Sequence, residues 1–208
     1  MGRPILDPRK ILEVPAIYDM FQKLVGAQQG RLEFIQQTIT PMVRARVLEV
    51  GCGPGINSEA FSKTISFVGY DISQSYIDHA RQRYGDHAEF YAAPVGKLRE
   101  LQLEPFDVVI ALAVLHHLSD EDIANLCDEV ADVLTPDGFF VTTDPCFSVD
   151  QSRFANFVAS CDRGQHVRHA EGYSKLLETR FSKVSITIQK GRLLFIPCTG
   201  VTMVASME

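Results

Sequence analysis

The chain has 208 residues, 46% hydrophobic and 22% charged, proportions that suit one ordinary globular domain and exclude extended disorder and fibrous architectures. The formal net charge of −6 argues against a broad nucleic-acid-binding surface, and no apolar run is long enough to span a bilayer. The five scattered cysteines form no CxxC pair, so neither a disulfide framework nor a metal site is expected, and an opening stretch without an apolar signal core makes the cytoplasm the expected compartment.

Residues 10–40 read as helical. Ile17, Met20, Phe21, Leu24 and Val25 recur at helical spacing, and Leu32, Phe34, Ile35 and Ile39 repeat the pattern before Pro41. From residue 44 strand and helix signals alternate. Short β-rich runs fall at 46–50, 66–70 and 88–92, with a helix at 73–84 burying Ile77, Ala80 and Tyr84 between the last two. Residues 106–111 are almost continuously apolar, as in a strand buried on both faces. A helix over 119–134 opens on Ser119 and Asp122, spaced as in a capping box, and carries a buried stripe of Ile123, Leu126, Val130 and Val133. ThrProAspGly (135–138) predicts a turn before a fifth strand at 139–143. After a helix around 172–179, two β-rich runs at 183–189 and 193–206 predict a hairpin turning at Lys190 and Gly191. The pattern predicts an α/β fold: a doubly wound, mostly parallel sheet with helices on both faces and one antiparallel strand.

The most informative segment is ValLeuGluValGlyCysGlyProGly (47–55), where a hydrophobic strand runs into Gly51, Gly53 and Gly55. Glycine lets the backbone turn sharply and approach a ligand without a Cβ in the way. Asp71 ends the next strand about 20 residues later, where a carboxylate can accept from both hydroxyls of a ribose. Together they predict a site for an adenosine-bearing cofactor at the carboxyl edge of the sheet. The dinucleotide fingerprint GxGxxG fails at Ile56, and no GlyLysSer or GlyLysThr completes a P-loop. Glu49 beside the loop would repel a pyrophosphate, but it suits a cofactor bearing an ammonium and a sulfonium, as S-adenosylmethionine does.

At these residues the sequence resembles the class I S-adenosylmethionine-dependent methyltransferases. The resemblance spans residues 46 to about 145: the glycine loop, PheValGlyTyrAspIleSer (67–73), the fourth-strand segment 106–118 and the segment 134–145. It implies a single Rossmann-like domain over 1–208 with a seven-stranded sheet. In that domain 1–43 would form a helical cap, 44–145 the donor-binding core, and 146–208 the acceptor-side insertion and terminal hairpin. It also implies that Gly51 and Gly53 line the methionine moiety while Glu49 organises their loop. Asp71 would hold the ribose, Ile72 would pack on the adenine, and Ala111 with Leu112 would border the transferred methyl group. The family often has an acidic residue after strand three that contacts the adenine amino group; the matching stretch here is AlaAlaProVal (92–95).

Methyl transfer needs alignment, exclusion of water and, for some acceptors, removal of a proton, so a distinctive catalytic motif is not required. His116 after strand four could serve as a base or could cap the following turn. Asp144 could touch the acceptor or only begin a turn before Pro145. Arg163, His166 and Arg168 could bind an anionic group of the acceptor or lie on a solvated surface, and Tyr18 could face the pocket or pack in the core. The expected activity is transfer of methyl to an oxygen or nitrogen of a small molecule, with neither nucleic acid nor membrane as partner and with the oligomeric state open. The competing expectation is a protein that binds S-adenosylmethionine without transferring its methyl group.

Overall fold

The computed structural model describes residues 27–147, 166–193 and 196–208. Helix α1 (Ala27–Phe34) continues through one widened turn (Ile35–Ile39) into a 3-10 turn (Thr40–Met42) that ends after Pro41. Ile35 and Ile39 are fully buried, and Leu32 and Phe34 pack beside them. Tyr18, Phe21 and the rest of the first helical stretch lie outside the described residues.

Strands β1 (Arg46–Val50), β2 (Ser66–Asp71), β3 (Ala88–Ala92) and β4 (Phe106–Leu112) pair in parallel. Helix α2 (Gln74–Tyr84) joins β2 to β3 and buries Ile77, Ala80 and Tyr84. Helix α3 (Asp120–Val133) precedes β5 (Leu134–Phe147), which is parallel to β4. The Ser119 hydroxyl accepts from the Asp122 N–H while the Asp122 carboxylate accepts from the Ser119 N–H, so α3 begins in a closed capping box. A two-residue strand β6 (Arg168–His169) lies beside the end of β5 and leads into α4 (Ala170–Leu177). The hairpin of β7 (Lys183–Leu193) and β8 (Ile196–Ser206) closes the sheet, whose order is β3-β2-β1-β4-β5-β8-β7. Only β8 runs against its neighbours in this seven-strand path.

The strands bury alternate side chains on opposite faces. Leu48 and Val50 enter the cluster built with α3 and α4, whereas Val47 enters the one built with α1 and α2. Each aliphatic side chain so removed from water contributes about 1.5–3 kcal/mol. Two local expectations are corrected. Residues 135–138 bulge out of β5 rather than precede it: Phe106 pairs with Leu134 and Val108 already with Phe139. Lys190 and Gly191 are not the hairpin turn, because they pair with Thr199 and Cys198 inside the ladder, which closes at Leu193 and Ile196. β-branched residues fill both arms up to that glycine, and the ladder runs on through it to Leu193 and Ile196.

Candidate active site

The carboxyl ends of β1, β2, β4 and β5 converge on one edge. The Gly51 and Cys52 N–H groups both donate to the Tyr70 carbonyl (2.8 and 3.1 Å), folding the glycine loop back on β2. Gly51, Gly53 and Gly55 all have positive φ. The three are not equivalent. A Cβ on Gly51 would meet Val114 Cγ2 at 2.7 Å, so that glycine serves packing, whereas a Cβ on Gly53 would meet nothing within 4 Å. Gly53 is therefore the open face of the loop. Its N–H donates to Asp71 Oδ2 (2.9 Å), and the Ser73 N–H donates to Asp71 Oδ1 (2.8 Å). Two backbone donors thus fix the carboxylate while each oxygen keeps a lone pair for another partner.

Glu49 lies in the middle of the sheet, 1% exposed. Asn57 Nδ2 donates to its Oε1 at 2.5 Å. Glu49 Oε2 and Asn57 Oδ1 are buried with no hydrogen-bond partner, an arrangement that calls for a donor, preferably a cation. Burial raises the Glu49 carboxyl from 4.5 to about 7, against the lowering influence of the Asn57 bond and the Arg31 charge on α1, and Asp71 adds to the rise. Ile72 presents a 76% exposed aliphatic side chain next to Asp71. These residues fit S-adenosylmethionine: two orphaned acceptors for an ammonium, an open glycine for the tail, a carboxylate for a ribose and an apolar surface for a base. Ala111 is fully buried and Leu112 nearly so, which places both in the core beneath this edge. Ala113, with φ +60, gives its N–H to the Thr143 carbonyl (2.7 Å) and turns the chain out of β4.

His116 is 3% exposed, and Asp144 at the end of β5 is 1% exposed. Asp144 Oδ1 accepts from both the His116 N–H (3.1 Å) and His116 Nδ1–H (2.8 Å). A carboxylate only accepts, so this bond keeps the proton of a neutral imidazole on Nδ1 and the basic lone pair on Nε2. Asp144 thus orients His116 through Oδ1, while its buried Oδ2, with no hydrogen-bond partner, leaves room for the acceptor contact expected from the sequence. The expectation for Arg168 is corrected. Its guanidinium bonds Asp120 and the carbonyls of Leu115 (3.3 Å), His166 (2.7 Å) and Leu118 (2.9 Å), and lies over the Tyr173 ring. These partners make it a staple between the 115–118 turn and β6 rather than a free anion binder. His166 joins the site through its backbone, donating to the His116 carbonyl (3.0 Å). Arg163 and Tyr18 lie outside the described residues.

Asn57, Ala113 and Val114 belong to this edge and escaped the sequence reading. Asn57 carries a usable signal, an amide eight residues after Glu49 in the turn that follows the glycine loop. The other two carry none, because a left-handed alanine and a packing valine look like any others.

A parallel sheet with a reversed strand inserted next to β5, a glycine loop after β1 and an acid after β2 define the class I S-adenosylmethionine-dependent methyltransferase fold. Residues 47–138 match the profile of the methyltransferase domain family. A methyltransferase structure from Archaeoglobus fulgidus superposes with a TM-score of 0.70 at 18% identity, covering 91% of this chain and 99% of the other. The N-methyltransferase NodS from Bradyrhizobium japonicum, solved with S-adenosylhomocysteine, superposes at 0.63 with 20% identity over 85% of this chain and 86% of its own. In sequence, a ubiquinone biosynthesis O-methyltransferase of Bordetella avium is 35% identical over 104 residues, 48% of this chain and 43% of that protein. The chain spans about half the length of the curated relatives it matches.

Proposed function

We propose that the protein transfers a methyl group from S-adenosylmethionine to a hydroxyl oxygen of a small molecule. One observation carries the donor half: the buried, unpartnered Glu49 Oε2 and Asn57 Oδ1 behind the open glycine at 53. When bound, the cofactor supplies a methyl group on sulfonium, already activated for in-line displacement. Glu49 and Asn57 hold the ammonium of its methionine tail, Asp71 takes the ribose hydroxyls, and Ile72 covers the adenine. Residues 44–145 form the donor-binding core, and 146–208 contribute to the acceptor side.

Oxygen is favoured over nitrogen for two reasons. A hydroxyl must lose its proton as it is methylated, and the His116–Asp144 pair is built to take one on Nε2. The Asp144 carboxylate, bonded at Nδ1, steadies the imidazolium that forms. The curated relatives are also O-methyltransferases by name. Incubation with S-adenosylmethionine and a panel of phenolic and aliphatic alcohols tests the reading. Methylated product and S-adenosylhomocysteine should form in equal amounts with at least one acceptor. Tight donor binding with no product from any acceptor class would favour a non-transferring binder.

A further inference from the structure

The apolar stripe of α3 contains one charged residue. Glu129, 3% exposed, sits among the fully buried Ile123, Leu126, Cys127 and Val130. A carboxylate there costs several kcal/mol unless it is well partnered, and an aliphatic side chain would fill the space without that penalty. Its partners come from the other side of the site. Oε2 accepts the Gly96 N–H and Oε1 the Leu98 N–H, each at 2.9 Å. Both donors belong to the loop that follows β3, which begins beside the ribose-binding strand end: the Ala93 N–H donates to the Asp71 carbonyl (3.0 Å).

This loop needs an external hold. Gly96 is exposed at φ +96 with open space around it, Pro94 has no N–H to give, and AlaAlaProVal (92–95) offers no acidic side chain to a base. A base held beside Asp71 would meet the backbone of this loop rather than an acidic side chain, and the shape of that backbone is set by what fastens it.

We infer that Glu129 is a positioning residue of the donor site, clamping the loop after β3 in the shape that discriminates adenine from other bases. The inference rests on the donor reading proposed above. A site that hydrogen-bonds a polar group rejects an analogue lacking it far better than an apolar wall does, so loosening the loop costs selectivity before it costs contact area.

Calorimetric affinities of the full chain for S-adenosylhomocysteine and S-inosylhomocysteine test it, since the two differ only at one edge of the base, where the exocyclic amino group becomes an oxo group and N1 gains a proton. The wild type should prefer the adenine form by roughly tenfold or more. Glu129→Gln and Glu129→Ala should each cut that preference severalfold. Gly96→Ala, which strains the backbone whose N–H Glu129 holds while leaving the Glu129 side chain in place, should do the same and decides the matter if the Glu129 variants do not fold. Folded variants that keep the wild-type ratio would overturn the inference and leave Glu129 a structural group. Equal wild-type affinity for the two ligands would overturn it while the donor reading stands. A wild type that binds neither would overturn both.

Discussion

Glu49→Gln probes the donor site at its most unusual group. Holding a carboxyl ionised when burial has raised it from 4.5 to about 7 costs on the order of 3 kcal/mol. The folded value lies above the unfolded one, so the free protein loses stability as pH rises from about 4.5 toward 7, then levels off. A cationic ligand reverses that preference, because it binds the ionised form. The ionised fraction climbs from about one-tenth one pH unit below the midpoint to about nine-tenths one unit above. Affinity for S-adenosylhomocysteine should therefore rise roughly tenfold between about pH 6 and 8, with about half a proton released on binding at pH 7. Titration calorimetry in two buffers of different ionisation enthalpy measures both. Glu49→Gln should flatten the pH profile and weaken binding at pH 8 by about 1.5–3 kcal/mol, the scale of a hydrogen bond to a charged group. The unliganded variant should melt higher at that pH, having lost a buried charge. A flat wild-type profile, or a variant that keeps the slope, would refute the assignment of the ammonium to Glu49.

Asp71→Ala should weaken S-adenosylhomocysteine by about 1.5–3 kcal/mol in calorimetry; unchanged affinity would remove the ribose assignment. His116→Ala should lower kcat by about 10²–10⁴-fold with the donor Kd unchanged, and Asp144→Asn should do likewise by spoiling the tautomer. The loss should shrink for a nitrophenol acceptor, which ionises without help; equal losses for weak and strong acids would argue against a base. At the opposite end of the sheet, Asp107 is part-buried, which by itself raises its carboxyl. Three N–H donors, from Arg44, Ala45 and Arg46, outweigh that and hold it below the ordinary range. Its contribution is complete above about pH 4 and is lost as pH falls through the depressed value. Asp107→Asn should thus lower urea stability at neutral pH and narrow its gap to the wild type in acid; a constant gap would contradict this.

Much of the architecture was legible because its signals are local. A β-rich run broken by Gly51, another ended by Asp71 and a Ser119–Asp122 cap each fix an element from a few adjacent residues. The hairpin turn was misplaced for the same reason. A glycine at 191 reads as a turn locally, but the register of eleven residues on each arm carries the pairing beyond it. In the site, the glycine loop and Asp71 could be read from spacing, whereas the partners of His116, Arg168 and Glu129 could not. Asp144 lies 28 residues from His116, Asp120 lies 48 from Arg168, and Gly96 lies 33 from Glu129. Such pairs exist only once the sheet has brought two strand ends together. Glu129 alone left a trace, an acid in the apolar stripe three residues after Leu126, where an aliphatic residue was due.

A crystal structure of the complex with S-adenosylhomocysteine tests the central claim most directly. The ligand's ammonium should lie against Glu49 and Asn57, its tail over Gly53, its ribose hydroxyls on Asp71 and its adenine between Ile72 and the 93–98 loop. Density for the ligand away from the carboxyl edge of β1 and β2, or an ammonium facing solvent with Glu49 still unpartnered, would contradict the account.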